Sequence, residues 1–270
     1  MLDTILSLGQ IDSKYWLEDY WNKNGDPRIA DYFLMSSFRP IIWIQLIYSI
    51  FVLHVGPKMM ENRKPFSLKW TMITYNILMS CLNAYFVIFA IVLHNFALDM
   101  FDVKFPSFTD RSAHTERIFR LHYLFTISKL FDLLDTIFFI LRKKNSQVTV
   151  LHFYHHFSVP FQAWSYFRLC GNSAIVIPFG LLNSLVHTIM YAYYGMAAFG
   201  PHMRKYLWWK RYLTQLQIVQ FVCICIYLIY FIAKQQGYPR YFFYNLLFQS
   251  ILYIFLFGKY YFTTYRKIKQ

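Results

Sequence analysis

The string Leu151-His152-Phe153-Tyr154-His155-His156 puts three imidazoles at i, i+3 and i+4, on one face of a helix. A neutral imidazole can act as nucleophile, general base or metal ligand. One histidine in an apolar helix is usually a hydrogen-bonded core residue, but three on one face need a further reason. Pro160 lacks an N–H and leaves the carbonyl of His156 without its helical partner, although proline kinks are common in membrane helices. Three other segments carry polar groups inside apolar runs. Lys129, Asp132, Asp135 and Thr136 fall along one helical stripe, where Lys129 and Asp132 could equally form a plain intrahelical ion pair. Asn183, His187 and Tyr191 or Tyr194 share a face, though tyrosines near an interface also fit an aromatic belt. Thr214, Gln217 and Gln220 recur every three residues, a spacing at which amides could simply hold helices together.

These groups need elements to hold them, and composition says what kind. The chain has 270 residues, 57% apolar and 22% aromatic, with 15% charged against the roughly 25% of a soluble domain. Seven apolar runs, near 40–56, 70–94, 121–141, 148–167, 174–198, 212–232 and 241–258, approach the ~20 residues that cross a bilayer. The expected fold is therefore all-α, a polytopic membrane protein of seven transmembrane helices. A lumenal segment 1–39 precedes the membrane domain 40–258, and a basic tail 259–270 follows it. Ionisable groups within such spans are costly, so each one noted above is a candidate site residue. No secretory leader is visible in the acidic first thirty residues. Cys81, Cys170, Cys223 and Cys225 lie in or beside apolar segments without zinc-site spacing and read as buried thiols.

Charge sets the orientation. Segments 57–69, 142–147, 199–211 and 259–270 hold 15 Lys or Arg in 44 positions, whereas the alternate segments hold 11 in 79. Basic residues stay on the cytoplasmic side of short loops, so the N-terminus is expected in the lumen and the C-terminus in the cytoplasm. With Glu61 as its one acid, the basic side nets +14 and the other side +1. Positive-inside topology and anionic lipid could account for this excess, as could an anionic soluble substrate. Nucleic acid is disfavoured, because the clusters are split by membrane spans. Counting along alternating spans, Asp135, His155, His187 and Gln217 all lie roughly 9 to 17 Å from the cytoplasmic boundary. One polar pocket in the cytoplasmic half could hold them all.

Four ordered motifs resemble the ELO family of very-long-chain fatty acid elongases. They are Lys-Leu-Phe-Asp-Leu-Leu-Asp-Thr (129–136), His-Phe-Tyr-His-His (152–156), His-Thr-Ile-Met-Tyr-Ala-Tyr-Tyr (187–194) and Thr-Gln-Leu-Gln-Ile-Val-Gln (214–220). The resemblance covers residues 115–225 closely. Asp132 is a departure, because the family usually has Glu there.

The resemblance implies a 3-ketoacyl-CoA synthase of the endoplasmic reticulum, condensing a long acyl-CoA with malonyl-CoA without a cofactor or metal. By the same resemblance His155, matching the middle histidine of the family's box, is the nucleophile that forms an acyl-imidazole. His187, His156 and His152 would orient it or move protons. Asn183, Gln217 and Gln220 would donate hydrogen bonds, with Lys129, Asp132, Asp135, Thr136, Tyr191 and Tyr194 completing the substrate site. Membrane lipid, copies of the chain and other enzymes of the elongation cycle are the expected partners. The acyl tail is expected in an apolar tunnel on the lumenal side, walled by Trp164, Phe167, Ile175, Phe179 and Cys225. Histidine boxes also hold two iron ions in membrane desaturases and hydroxylases, but that site needs more histidines than the scattered His54, His94, His114, His122 and His202 supply. A seven-span receptor or transporter would leave the clustered histidines idle.

Overall fold

A computed structural model describes residues 16–238 and 240–265. Among them there is no strand, and an isolated bridge joins Lys104 and Gln236. A short helix α1 (Trp16–Asn24) leads to seven helical units. They are α2 (Arg39–Met60), α3 (Lys69–Leu93), α4 (Ala113–Phe131) with its continuation α5 (Leu134–Leu141), α6 (Val150–Cys170), α7 (Ile177–Ala198), α8 (Lys210–Lys234) and α9 (Arg240–Tyr265). Each apolar run read from the sequence is helical, and α9 continues past 258 to Tyr265.

Five of these helices are long and apolar enough to cross a membrane: α2, α3, α7 with its leading 3₁₀ turn (Ala174–Ala198), α8 and α9 from Phe242. The chain is thus a multi-pass membrane protein. The other two units, α4–α5 and α6, fall short because they carry the charged and imidazole side chains. They face protein instead. Successive contacts close a ring in the order α3, α7, α8, α9, α6, α4 and back to α3, while α2 packs outside it on α6 and α5.

Local chemistry accounts for the helix ends. Thr149 caps α6 by accepting the His152 N–H, and Ser112 caps α4 by accepting that of Thr115. Just before α4, the Asp110 carboxylate accepts the Thr115 hydroxyl at 2.5 Å and the Ser112 N–H at 2.8 Å. These hydrogen bonds, the threonine hydroxyl foremost, hold its carboxyl below the usual carboxylate range. In α2, residues Phe51–Val55 form a π turn in which the Gly56 N–H reaches back to the Phe51 carbonyl.

The third span differs from its sequence reading. In place of one helix over 121–141, the chain is helical from Ala113 and breaks at Asp132 and Leu133. There the N–H of Leu133 bonds Leu130 and that of Asp135 bonds Asp132, a tightened i→i+3 turn. The tightening keeps Lys129, Asp132 and Asp135 on one side and leaves Thr136 facing α2.

At the end of α6 remote from its histidines, residues 16–38 fold against the helix. Trp21 meets Trp164 edge-on at 4.9 Å, and the Trp164 indole donates to the Leu34 carbonyl. Asp26 is fully buried and takes a bidentate guanidinium from Arg28, while Arg168 donates to its backbone carbonyl. Arg28 also donates to the Asp110 carbonyl and to Asn172. The Arg168 guanidinium passes directly over Gly25, where a Cβ would collide with it.

Removing one partner of a buried ion pair strands the other charge, at a cost of about 3–5 kcal/mol. Asp26→Ala is accordingly expected to destabilise the protein by about that amount and Asp26→Glu by less, read as thermal unfolding in detergent.

Candidate active site

Among the described residues, the helix ring borders two adjacent cavities. The first is the more polar of the two and borders Asp135, Arg142, His152, His156, His187 and Gln217. Its other lining residues, among them Gln147, Ala198, Lys210 and Tyr260, put its mouth at the basic ends of the helices. The second is largely apolar, bordered by Phe86, Val159, Phe167, Phe179, Ile224 and Leu246. Four residues belong to both: His155, Asn183, Gln220 and Phe221. His155 therefore stands where a polar chamber meets an apolar one.

Behind the polar wall lies a buried charge network built by the broken helix. Lys129 Nζ donates to Asp132 Oδ2 and to Asn183 Oδ1, both at 3.0 Å, and its ammonium sits 4.7 Å from the centre of the Phe125 ring. The Tyr191 hydroxyl lies 2.9 Å from an oxygen of Asp132 and 2.9 Å from one of Asp135; its one proton serves one carboxylate at a time. His187 Nδ1 stands 3.7 Å from Asp132 Oδ2, beyond hydrogen-bond reach but within ion-pair distance. The tightened turn at 132–133 is what aims both carboxylates at Tyr191.

Thr136, one residue past Asp135, serves a different neighbour. Its hydroxyl is 2.8 Å from His152 Nε2 and 2.8 Å from the Tyr48 hydroxyl, a chain running from α2 into the histidine cluster. From there the rings step inward: His152 to His156 at 4.1 Å between centroids, His156 to His155 at 5.6 Å, and His155 to His187 at 6.3 Å. The Nδ1 atoms of His155, His156 and His187 are buried without a hydrogen-bond partner among the described residues. Such unmet ring nitrogens, costly in an apolar interior, are available to a substrate or to each other after small ring rotations.

The structure thus gathers the four histidines with Asp135, Asn183, Tyr191, Tyr194, Gln217 and Gln220 around one polar chamber. Lys129, Asp132 and Thr136 stand one layer back, where they hold the lining in place. Gln217 points its amide at the Met190 sulfur, 3.6 Å away, and Thr214 meets the hydroxyl of Tyr265 at 3.4 Å. Of the tunnel residues expected from sequence, Phe167 and Phe179 line the apolar cavity. Trp164, Ile175 and Cys225 do not. Trp164 and Ile175 are spent on packing around α6 and α7, and Ile224 takes the wall position expected of Cys225.

Sequence reasoning missed Tyr48, because α2 has no other polar contact with the site. It also missed Tyr253 on α9, whose ring meets His155 edge-on at 5.3 Å and whose hydroxyl pairs with Ser158 at 2.7 Å. One signal for Tyr48 existed: a tyrosine in an apolar helix wants a hydroxyl partner when buried.

Residues 33–270 match the family described as ELO: GNS1/SUR4. Very long chain fatty acid elongase 7 of Rattus norvegicus is 38% identical over 257 residues, covering 92% of this chain and 89% of the relative. Very long chain fatty acid elongase 1 of Homo sapiens is 36% identical, with 92% and 89% covered. Human very long chain fatty acid elongase 4 is 37% identical, with 91% of this chain and 77% of the relative covered.

The charge network makes its own prediction. Lys129→Met leaves Asp132 buried without its cation and is expected to destabilise the protein by about 3–5 kcal/mol. Asp132→Glu keeps the charge within reach of Lys129 and should cost less than about 1.5 kcal/mol. Thermal unfolding of both variants in the same detergent tests the order.

Proposed function

The chain belongs to the ELO: GNS1/SUR4 family, and on that premise we propose that it condenses a long-chain acyl-CoA with malonyl-CoA, releasing carbon dioxide and coenzyme A and forming a 3-ketoacyl-CoA two carbons longer. The observation that carries this reading is the position of His155 between a polar chamber and an apolar one. A thioester at that junction would have its coenzyme in the first and its hydrocarbon tail in the second.

In this reading the unprotonated nitrogen of His155 attacks the thioester carbon and the C–S bond breaks. The proton lost from the other ring nitrogen passes through His156 or His187 to the departing thiolate. Malonyl-CoA then loses carbon dioxide in the polar chamber, where the Asn183 and Gln220 amides can hydrogen-bond the enolate oxygen. The enolate carbon attacks the acyl-imidazole carbonyl, the C–N bond breaks, and the released His155 nitrogen takes a proton from water at the chamber mouth, the one proton the condensation consumes. Apolar walls of Phe221 and Val159 keep water from the acyl group.

His152 is held by Thr136 and Tyr48 and orients His156 by ring contact. Lys129, Asp132 and Tyr191 fix Asn183 and His187. We further read all seven helical units as membrane spans, with the basic ends and the chamber mouth toward the cytoplasm and the N-terminus in the lumen of the endoplasmic reticulum. The mouth, bordered by Arg142 and Lys210, then faces the compartment of an anionic soluble substrate.

Intact-mass measurement after incubation with one acyl-CoA, and no malonyl-CoA, tests the covalent step. One added acyl group is expected for the wild type and none for His155→Ala. A wild-type preparation that turns over yet gains no mass would overturn the acyl-histidine intermediate.

A further inference from the structure

The imidazoles of buried His94 and half-buried His122 take no part in the chemistry above, yet both line the apolar cavity. His94 follows the last residue of α3, and His122 lies in α4. Their Nε2 atoms are 3.3 Å apart, and His122 Nδ1 is 2.6 Å from the carbonyl of Gly171, just past the end of α6. A carbonyl only accepts, so His122 carries its proton on Nδ1 and, when neutral, offers Nε2 as an acceptor. His94 must then donate from its own Nε2. Both rings are fixed by these two bonds, and turning either one would break them.

The support behind the pair is dense. A Cβ on Gly171 would stand only 3.0–3.2 Å from Ile29, Phe167 and Phe119, and Ile29 and Phe119 have no exposed surface. A hydrocarbon chain that reaches these imidazoles meets that backing and the two hydrogen bonds laid across it.

We propose that His94 and His122 form the end wall of the acyl cavity and set the longest chain it can hold; this rests on the condensing reading above. α6 spans the measure, with His155 on it and Gly171, the partner of His122, capping its end. The two are 16 residues apart, roughly 24 Å at 1.5 Å per residue. An extended chain advances ~1.2 Å per bond, so roughly 20 carbons fit between the nucleophile and the wall.

Wild-type protein, acylated by acyl-CoAs bearing a photoreactive diazirine at the methyl end, tests this without any substitution. After illumination and peptide mapping, a chain of about 20 carbons is expected to label His94, His122 or their immediate neighbours. A chain of about 10 carbons should label the cavity midway, near Ala163 and Gly180. Long-chain label on residues of the outer, lipid-facing surface would overturn the proposal. In a second arm, His122→Ala should lengthen the longest product by at least one two-carbon cycle at equal total conversion. An unchanged longest product would count against the wall even if labelling were as expected. Failure of the wild type to condense the same acyl-CoAs would instead defeat the condensing reading.

Discussion

A lysine whose side chain has no exposed surface must find its counter-charge inside the protein, and much of the site follows from meeting that demand for Lys129. Its three ammonium protons have three destinations: Asp132, Asn183 and the face of Phe125. Asp132 lies in the same segment, while Asn183 lies on α7, so satisfying the lysine ties α4 to the helix that bears His187. Asp132 then has a second oxygen to satisfy, and Tyr191 supplies the hydroxyl. The tightened turn brings Asp135 to that hydroxyl as well. The break in the helix falls at the residue that meets the buried cation.

This ordering explains why two of the seven helical units are less apolar than the others. α4–α5 and α6 carry the charges and imidazoles, and the ring of contacts gives them protein neighbours where the other helices meet lipid. The cavities sit inside that ring, polar toward the basic helix ends and apolar toward the other. Of the helices that border both regions, α6 carries His155 at their junction and is anchored at its far end by the buried cluster of Asp26, Arg28 and Arg168.

Much of this was legible in the residues. Apolar length gave the seven helical units, though not α1 or the break at 132–133, and the spacing of His152, His155 and His156 gave the common face on which their rings now meet. The conjunction of Asn183, His187 and Tyr191 also held, because a helix face is a local property. What sequence could not give was which helices are neighbours. His94 and His122 looked scattered because 28 residues separate them, and their contact exists only where α3 packs on α4. Thr136 shared a stripe with Asp135 on paper, yet the turn at 132–133 changes the phase and sends its hydroxyl to α2. Cys225 failed as a wall residue for a similar reason: its neighbour Ile224, one helical step away, faces inward.

The π turn in α2 is a correction of helical phase. Tyr48, Val52, Gly56 and Met60 are all buried, each four residues after the last. In an uninterrupted α-helix every such step overshoots a full turn by ~40°, so three steps would carry Met60 about a third of the way around the axis. The one extra residue in the wide turn at Phe51–Val55 takes back roughly 100° of that drift. One stripe of α2 thereby stays against the bundle along its whole length, with Tyr48 on Thr136 and Gly56 close beneath Ile140. The hydroxyl that steadies His152 and the glycine that seats the helix on α5 are kept in register by a single surplus residue, so the length of this segment is as constrained as its chemistry.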